Sequence, residues 1–174
     1  MIRIARFEKV SFEQFSKDWL RNFPGTSAEE LQQIYEDIRL PERATAGSAG
    51  YDFRTPADFI LQPGTEILIP TGIRAKISDG YVLILFPRSS LGFKYRMQLD
   101  NTAGVIDADY YGAANEGHIM AKVINDSRTG KVLTAGKGDS FLQGIFLPFG
   151  ITEDDSADGV RTGGFGSTNN PERG

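Results

Sequence analysis

The run FILQPGTEILIPTGIRAKISDGYVLILFP, residues 59 to 87, is the most diagnostic stretch of this chain. Four short pieces stand in it, 59 to 62, 66 to 70, 72 to 77 and 81 to 87, parted by turn formers such as Gln62-Pro-Gly and Ser78-Asp-Gly. Pieces of this length are too short for stable helices, and their Ile, Leu and Val content suits a pleated, partly buried surface. Toward the C-terminus the same texture continues through GHIMAKVIN (117 to 125), KVLT (131 to 134) and SFLQGIFLPF (140 to 149), punctuated by Asn125-Asp-Ser and Gly136-Lys-Gly. Strands divided by turns at intervals of roughly ten residues predict an all-β sandwich or barrel between about residues 44 and 149. No repeat supports a solenoid or propeller.

Toward the N-terminus the period changes. Residues 2 to 10, IRIARFEKV, alternate apolar and charged side chains and read as a half-buried strand. Ser11 is placed to cap a brief helix through Trp19, and Ser27-Ala-Glu-Glu30 has the form of a capping box ahead of Leu31, Ile34, Tyr35 and Ile38, which predicts a helix over 27 to 38. Pro24 and Gly25 separate the two, and Pro41 closes the second. Residues 11 to 39 thus form a small helical insertion, either padding the outer wall or docking another protein. From Gly150 the chain is rich in Gly, Asp and Ser with Phe165 its lone aromatic, so residues 150 to 174 are expected to be a flexible arm, frayed or ordering over a ligand. The expected organisation is one domain over 1 to 149, insertion included, followed by that arm.

With 174 residues, 40% of them hydrophobic, the chain fills one ordinary core. It has no cysteine, which excludes disulfides and thiolate metal sites and suits a reducing cytoplasm. Charges interrupt the first fifteen residues too often for a signal-peptide core or a membrane span, so a soluble protein with no membrane partner is expected. A net charge of −4 argues against nucleic acid as a partner, since backbone binding needs clustered Lys and Arg. A small anion remains open, because a few local donors outweigh a distant, screened net charge.

Several segments carry groups suited to such an anion. PRSSLG (87 to 92) follows an apolar strand and offers the Arg88 guanidinium with two serine hydroxyls; its plainer reading is a surface turn with a salt bridge. GVIDADYYG (104 to 112) sets Asp107 and Asp109 two residues apart, on one face if the chain is extended there, with backbone capping in a turn as the alternative. Gln143 puts an amide inside an apolar run, where a structural hydrogen bond is the plain account. The glycine-dense GGFGST (163 to 168) lets backbone N–H groups approach phosphate and offers a ring to stack on a base, but lacks the Gly-Lys-[Ser/Thr] of a Walker A loop.

Taken in order, AGSAGYDF (46 to 53), PRSSLG, NTAGVIDADYYG (101 to 112), GDSFLQGIFLPF (138 to 149) and RTGGFGSTN (161 to 169) resemble the five motifs of the homotrimeric dUTPases, a β-barrel family. Asn115-Glu-Gly-His118 further resembles family members of Gram-positive bacteria and their phages. The resemblance implies an all-β, jelly-roll-like dUTPase barrel that hydrolyses dUTP to dUMP and pyrophosphate, limits uracil incorporation into DNA and supplies dUMP for dTMP synthesis. It assigns Asp107 to orienting and deprotonating the attacking water, and Tyr110 to packing under the deoxyribose. Asn101, Gly104, Val105 and Ile106 belong to the hairpin that meets the uracil edge. Arg88, Ser89, Ser90 and Gln143 hold the phosphates, with Asp52 in support. Arg161, Phe165, Gly166, Ser167 and Thr168 lie in the arm, which closes over a site formed by other subunits of a homotrimer. Mg²⁺ is implied as cofactor, held mainly by substrate phosphates and water rather than by a protein cage.

Two positions depart from the family pattern. Tyr111 stands where arginine is frequent, and Arg161 lies one residue nearer Phe165 than usual. The sole histidine, His118, reads as an ordinary polar residue at a strand start. Among rivals, the related dCTP deaminases use a glutamate where this chain offers Lys122, and a non-catalytic nucleotide-binding module would not need Asp107, Tyr110 and Gln143 together.

Overall fold

The computed structural model describes residues 2–159 and Gly163. Its centre is the predicted strand run: β4 (Phe59–Leu61), β5 (Glu66–Pro70), β6 (Ile73–Ile77) and β7 (Tyr81–Pro87). Alternation settles which side chains enter the core. Ile73, Ala75 and Ile77 of β6 are buried while Arg74 and Lys76 point outward, and Leu83 and Leu85 of β7 are buried between less buried neighbours. Each large apolar side chain so buried contributes about 1.5–3 kcal/mol. Later in the chain come β10 (Met120–Asn125), β11 (Leu133–Ala135) and β12 (Ser140–Pro148), within two or three residues of where periodicity places them.

Four short strands escape the sequence pattern: β2 (Glu42–Arg43), β3 (Tyr51–Arg54), β8 (Met97–Leu99) and β9 (Gly104–Ile106). Two to four residues are too few for an alternation to register. A helix also stands where a turn was expected, α3 (Ser89–Tyr95), directly after β7 and ended by Arg96 in the left-handed conformation.

All pairings between these strands are antiparallel, and the fold is all-β as expected. The expected barrel is not one closed ladder among the described residues. β5-β10-β8 form a three-stranded sheet, β11-β4 a pair, and β2-β3-β12-β7-β9 a five-stranded sheet; β1 (Ala5–Lys9) pairs with β6. Strands of three residues, β4, β8, β9 and β11, each end in a turn before a second neighbour pairs with them, which divides the ring. The five-stranded sheet matters most for function, because β3, β7, β9 and β12 carry or directly precede the residues expected to bind nucleotide.

The insertion folds as α1 (Phe12–Asn22) and α2 (Ala28–Asp37), with Ser11 and Ser27 as caps accepting from the Gln14 and Glu30 N–H groups at 3.1 Å each. Phe15, Trp19, Leu31, Ile34 and Ile38 are buried in the same hydrophobic cluster as the strand residues, so the insertion completes the core. No described helix is long and apolar enough to cross a membrane.

Candidate active site

Three of the expected residues meet at one corner of the five-stranded sheet. Gln143 of β12 lies opposite Asp52 of β3 and Phe86 of β7, and Arg88 follows directly from β7. Arg88 Nε is 3.5 Å from Asp52 Oδ1; the Asp52 side chain is 10% exposed and that of Arg88 40%, so the arginine reaches toward solvent from a buried carboxylate. Gln143 lies against Gly50 on its other side, where a Cβ would fall 2.3 Å from the amide carbon and displace the glutamine from its present place. Ser89 and Ser90 are exposed beside Arg88 in the first turn of α3. A guanidinium and an amide at a half-open corner, with two exposed hydroxyls next in sequence, are suited to phosphate oxygens.

A second group gathers around β9. β8 and β9 pair in different sheets and are joined by a tight turn, at the place of the expected hairpin, in which the Thr102 N–H donates to Leu99 O at 2.8 Å and the Ala103 N–H to Asn101 O at 2.8 Å. Thr102 holds a φ of 70°, a costly conformation for a β-branched residue, so the hairpin shape is over-determined by its surroundings. Asn101 is exposed at its tip, Gly104 and Ile106 are buried and Val105 points outward. β9 is the last strand of its sheet, and among the described residues no strand pairs with its far side.

Asp107 follows β9 immediately and stands at the head of a 3₁₀ turn over Ala108–Gly112, without a side-chain hydrogen bond that caps it. That turn breaks the period of two, so Asp107 is half-buried while Asp109 is exposed, and the shared strand face considered from the sequence does not form. Both line a hollow of about 440 Å³ with Asp79, Gly80 and Phe149. Tyr110 is 2% exposed, and its hydroxyl donates to His118 O and accepts from Asn115 Nδ2, both at 2.8 Å.

The two groups are far apart in one chain. Extending the β7–β9 register by one position puts Asp107 opposite Val82. Arg88 is then six positions further along, about 20 Å at the strand rise.

Other residues noted in the sequence take structural places. His118 is no ordinary polar residue: it is fully buried, with Nδ1 2.7 Å from Asp18 Oδ2 and Nε2 accepting the Gly72 N–H at 2.8 Å. Tyr111 donates its hydroxyl to Glu8 at 2.8 Å and carries the Arg74 guanidinium over its ring at 4.5 Å. The Tyr111 hydrogen bond, outweighing burial and helped by Arg6 and Arg74, holds the Glu8 carboxyl below its ordinary value. Lys122 stands between Glu66 and Asp100, at 2.7 and 3.0 Å. Asp18 and His118 are partners that sequence reading missed, because a hundred residues separate them and Asp18 lies in the helical insertion, outside every motif. Arg161, Phe165, Gly166, Ser167 and Thr168 lie outside the described residues. A wider cleft of about 660 Å³, lined in part by Asp37, Arg39, Arg54 and Lys137, contains none of the expected residues.

Comparison with known proteins establishes the family. The family model described as dUTPase matches residues 36–169. This chain belongs to the dUTPase family. It is 41% identical over 134 residues to the deoxyuridine 5'-triphosphate nucleotidohydrolase of Lactococcus lactis subsp. lactis (strain IL1403), covering 75% of this chain and 88% of that one. Among solved structures, the dUTPase of Streptococcus mutans is 34% identical with a TM-score of 0.62, over 84% of this chain and 98% of that one. A point-mutant dUTPase from phage phi11 of S. aureus, which coordinates a structural Mg(II) ion, shares the fold at 19% identity and a TM-score of 0.61, over 90% of this chain and 98% of that one. The dUTPase match begins at residue 36, so α1 and most of α2 precede it. Among the described residues no cluster of three or more His, Cys, Asp or Glu is arranged to hold a metal ion.

Proposed function

We propose that this chain hydrolyses dUTP to dUMP and pyrophosphate at sites shared between the subunits of a homotrimer. The observation that carries this is the convergence of Asp52, Arg88 and Gln143, from three separate motifs, on one solvent-facing corner. The Asp107 carboxylate accepts a hydrogen bond from water and takes its proton as the water oxygen bonds to the α-phosphorus. The bond from that phosphorus to the bridging oxygen breaks, and pyrophosphate leaves with the electron pair. Arg88, Ser89, Ser90 and Gln143 orient the triphosphate and neutralise charge. A bound Mg²⁺ would supply further charge neutralisation, and Asp52 is the carboxylate beside the phosphate-binding arginine.

Specificity follows from the β9 edge. Backbone groups from Ala103 to Ile106, with Asn101, complement the donor and acceptor pattern of uracil as a strand edge complements another strand. Tyr110 leaves no room for a 2′-hydroxyl.

The shared-site arrangement is supported by distance. Asp107 is assigned to the water that attacks the α-phosphorus and Gln143 to the phosphates, yet their groups lie toward different ends of β7 within one chain. The exposed Phe86, Leu147 and Phe149 on and beside β7 and β12 are suited to burial against neighbouring copies. Residues 150 to 174 act as the arm of this reading, with Phe165 stacking on the base and the serine and threonine hydroxyls on the phosphates. Such turnover would keep uracil out of DNA and furnish dUMP for dTMP synthesis. A bacterial cytoplasm, where a chain without cysteine has no need of oxidation, is the compartment this reading assigns.

The test is pyrophosphate release from dUTP, dCTP, dTTP and UTP, with Mg²⁺ and with EDTA. Release from dUTP alone, abolished by EDTA, is expected. Absence of release from dUTP removes the enzymatic reading, and release from dCTP, dTTP or UTP at a comparable rate removes the specificity.

A further inference from the structure

We infer that the helical insertion is a positioning element of the active site, acting from Asp18 through His118 on Tyr110. This rests on the proposed placement of Tyr110 beneath the deoxyribose and adds a residue that lies outside the matched dUTPase range.

The geometry forms a continuous chain of contacts. Asp18 Oδ2 is bonded both to His118 Nδ1 and to Gln14 Nε2, each at 2.7 Å, inside the protein. His118 Nε2 accepts the Gly72 N–H, so the ring proton lies on Nδ1 and points at the carboxylate. With both ring nitrogens engaged and no exposure, the imidazole cannot turn without breaking two buried hydrogen bonds. The same residue's carbonyl receives the Tyr110 hydroxyl. Fixing the His118 ring therefore fixes the acceptor that holds Tyr110.

Every member of Asn115-Glu-Gly-His118 serves this junction. Asn115 donates to the Tyr110 hydroxyl. Glu116 accepts the Ser11 N–H at 2.7 Å and the Ser11 hydroxyl at 2.5 Å, tying down the start of α1. Gly117 has a φ of 71°, and a Cβ there would stand 2.6 Å from Tyr110 O, so only glycine lets the segment lie this close to the 3₁₀ turn. Beyond the contacts, α1 faces the hairpin itself: Asp18, Arg21 and Asn22 line a cleft of about 620 Å³ together with Asn101, Asn115 and Met120. An element on that wall and linked to that tyrosine through His118 is in a position to govern discrimination at the sugar.

The readout is the ratio of kcat/KM for dUTP to that for UTP, measured on the full chain in its native oligomer. Asp18→Ala removes the acceptor of the buried imidazole N–H, and the ratio should fall roughly tenfold or more, since a site stripped of one fixed contact loses selectivity before fold. A purely structural role would lower both substrates together and leave the ratio unchanged. Asp18→Asn keeps an acceptor oxygen and should restore the ratio to within about threefold of the parent. Tyr110→Phe, which keeps the ring and loses the tether, should reproduce the loss, and the Asp18→Ala/Tyr110→Phe double variant should be no worse than Tyr110→Phe alone. An unchanged ratio in folded Asp18→Ala or in Tyr110→Phe, or multiplicative losses in the double variant, would overturn the inference. Should Asp18→Ala not fold, Gln14→Leu takes its place by stripping the carboxylate of its second bond, and an unchanged ratio there overturns it equally. Parent protein that releases no pyrophosphate from dUTP defeats the proposed function instead, so the two failures are distinct.

Discussion

At one end of β7 the strand delivers Arg88 to Asp52 and Gln143; near the other, β9 passes into Asp107 and the turn that holds Tyr110. The first corner is half-open and built from long, adaptable side chains over a buried carboxylate. The second is rigid: a buried ring with two hydrogen bonds on its hydroxyl, a hairpin held at an unfavourable φ and a strand edge. Phosphate oxygens are alike from every side and tolerate an adaptable partner, whereas a base and a sugar must be told from close relatives and require fixed geometry. The separation of about 20 Å along β7 between Asp107 and Arg88 is the ground for the proposal that one site draws the two ends from different subunits.

The largest effect expected on this comparison comes from Asp107→Asn. Loss of the base with little change of volume should leave nucleotide binding near the parent level while kcat falls by about 10²–10⁴-fold, measured by pyrophosphate release alongside calorimetric binding of a non-hydrolysable analogue. Retained kcat would separate Asp107 from the chemistry.

An intermediate effect tests whether the two ends belong to different subunits. Asp107→Asn and Arg88→Ala chains, each poorly active alone, should recover about a quarter of parental activity when co-expressed in equal amounts, since a site drawing one end from each of two subunits is intact in that share of combinations. No recovery in verified mixed oligomers would place both ends in one chain's own site.

The smallest effect concerns the rigid end and acid. Burial pushes Asp18 upward, but hydrogen bonds from His118 and Gln14 outweigh it and leave the carboxyl below its ordinary 3.8. Burial likewise opposes, and the two Ser11 hydrogen bonds with Arg74 outweigh, at Glu116, which falls below its ordinary 4.5. Both groups have lower values folded than unfolded, so the stability they contribute is present above the unfolded values and is lost as pH falls through the folded ones. Thermal midpoints should therefore hold between about pH 5 and 7 as far as these groups are concerned and decline below about pH 4, with Asp18→Asn blunting the decline by a few degrees. An identical acid profile in that variant would detach Asp18 from acid lability.

Much of this architecture was legible in the sequence where a repeat of period was long enough to register. The strands from Phe59 to Pro87, the Ser11 and Ser27 caps and the turns at Pro63-Gly64 and Asp79-Gly80 lie where residue chemistry puts them. Strands of three residues such as β8 and β9 left no such mark, and neither did α3, whose serines and glycine read as a turn. The candidate residues were visible as motifs, but their grouping was not. Whether Asp107 and Asp109 share a face depended on an extended chain or a turn, which spacing alone leaves open, and the 3₁₀ turn separates them.

Local chemistry settled what a few residues can settle: the all-β class, the helical caps, the presence of a carboxylate, a tyrosine and an arginine in motif contexts, and membership of a nucleotide-hydrolysing family. Tertiary structure governed which of these meet. Asp18 and His118 form a buried pair across a hundred residues, and Asp107 stands a strand's length from Arg88, because register and packing bring together or hold apart positions whose distance along the chain carries no information about distance in space.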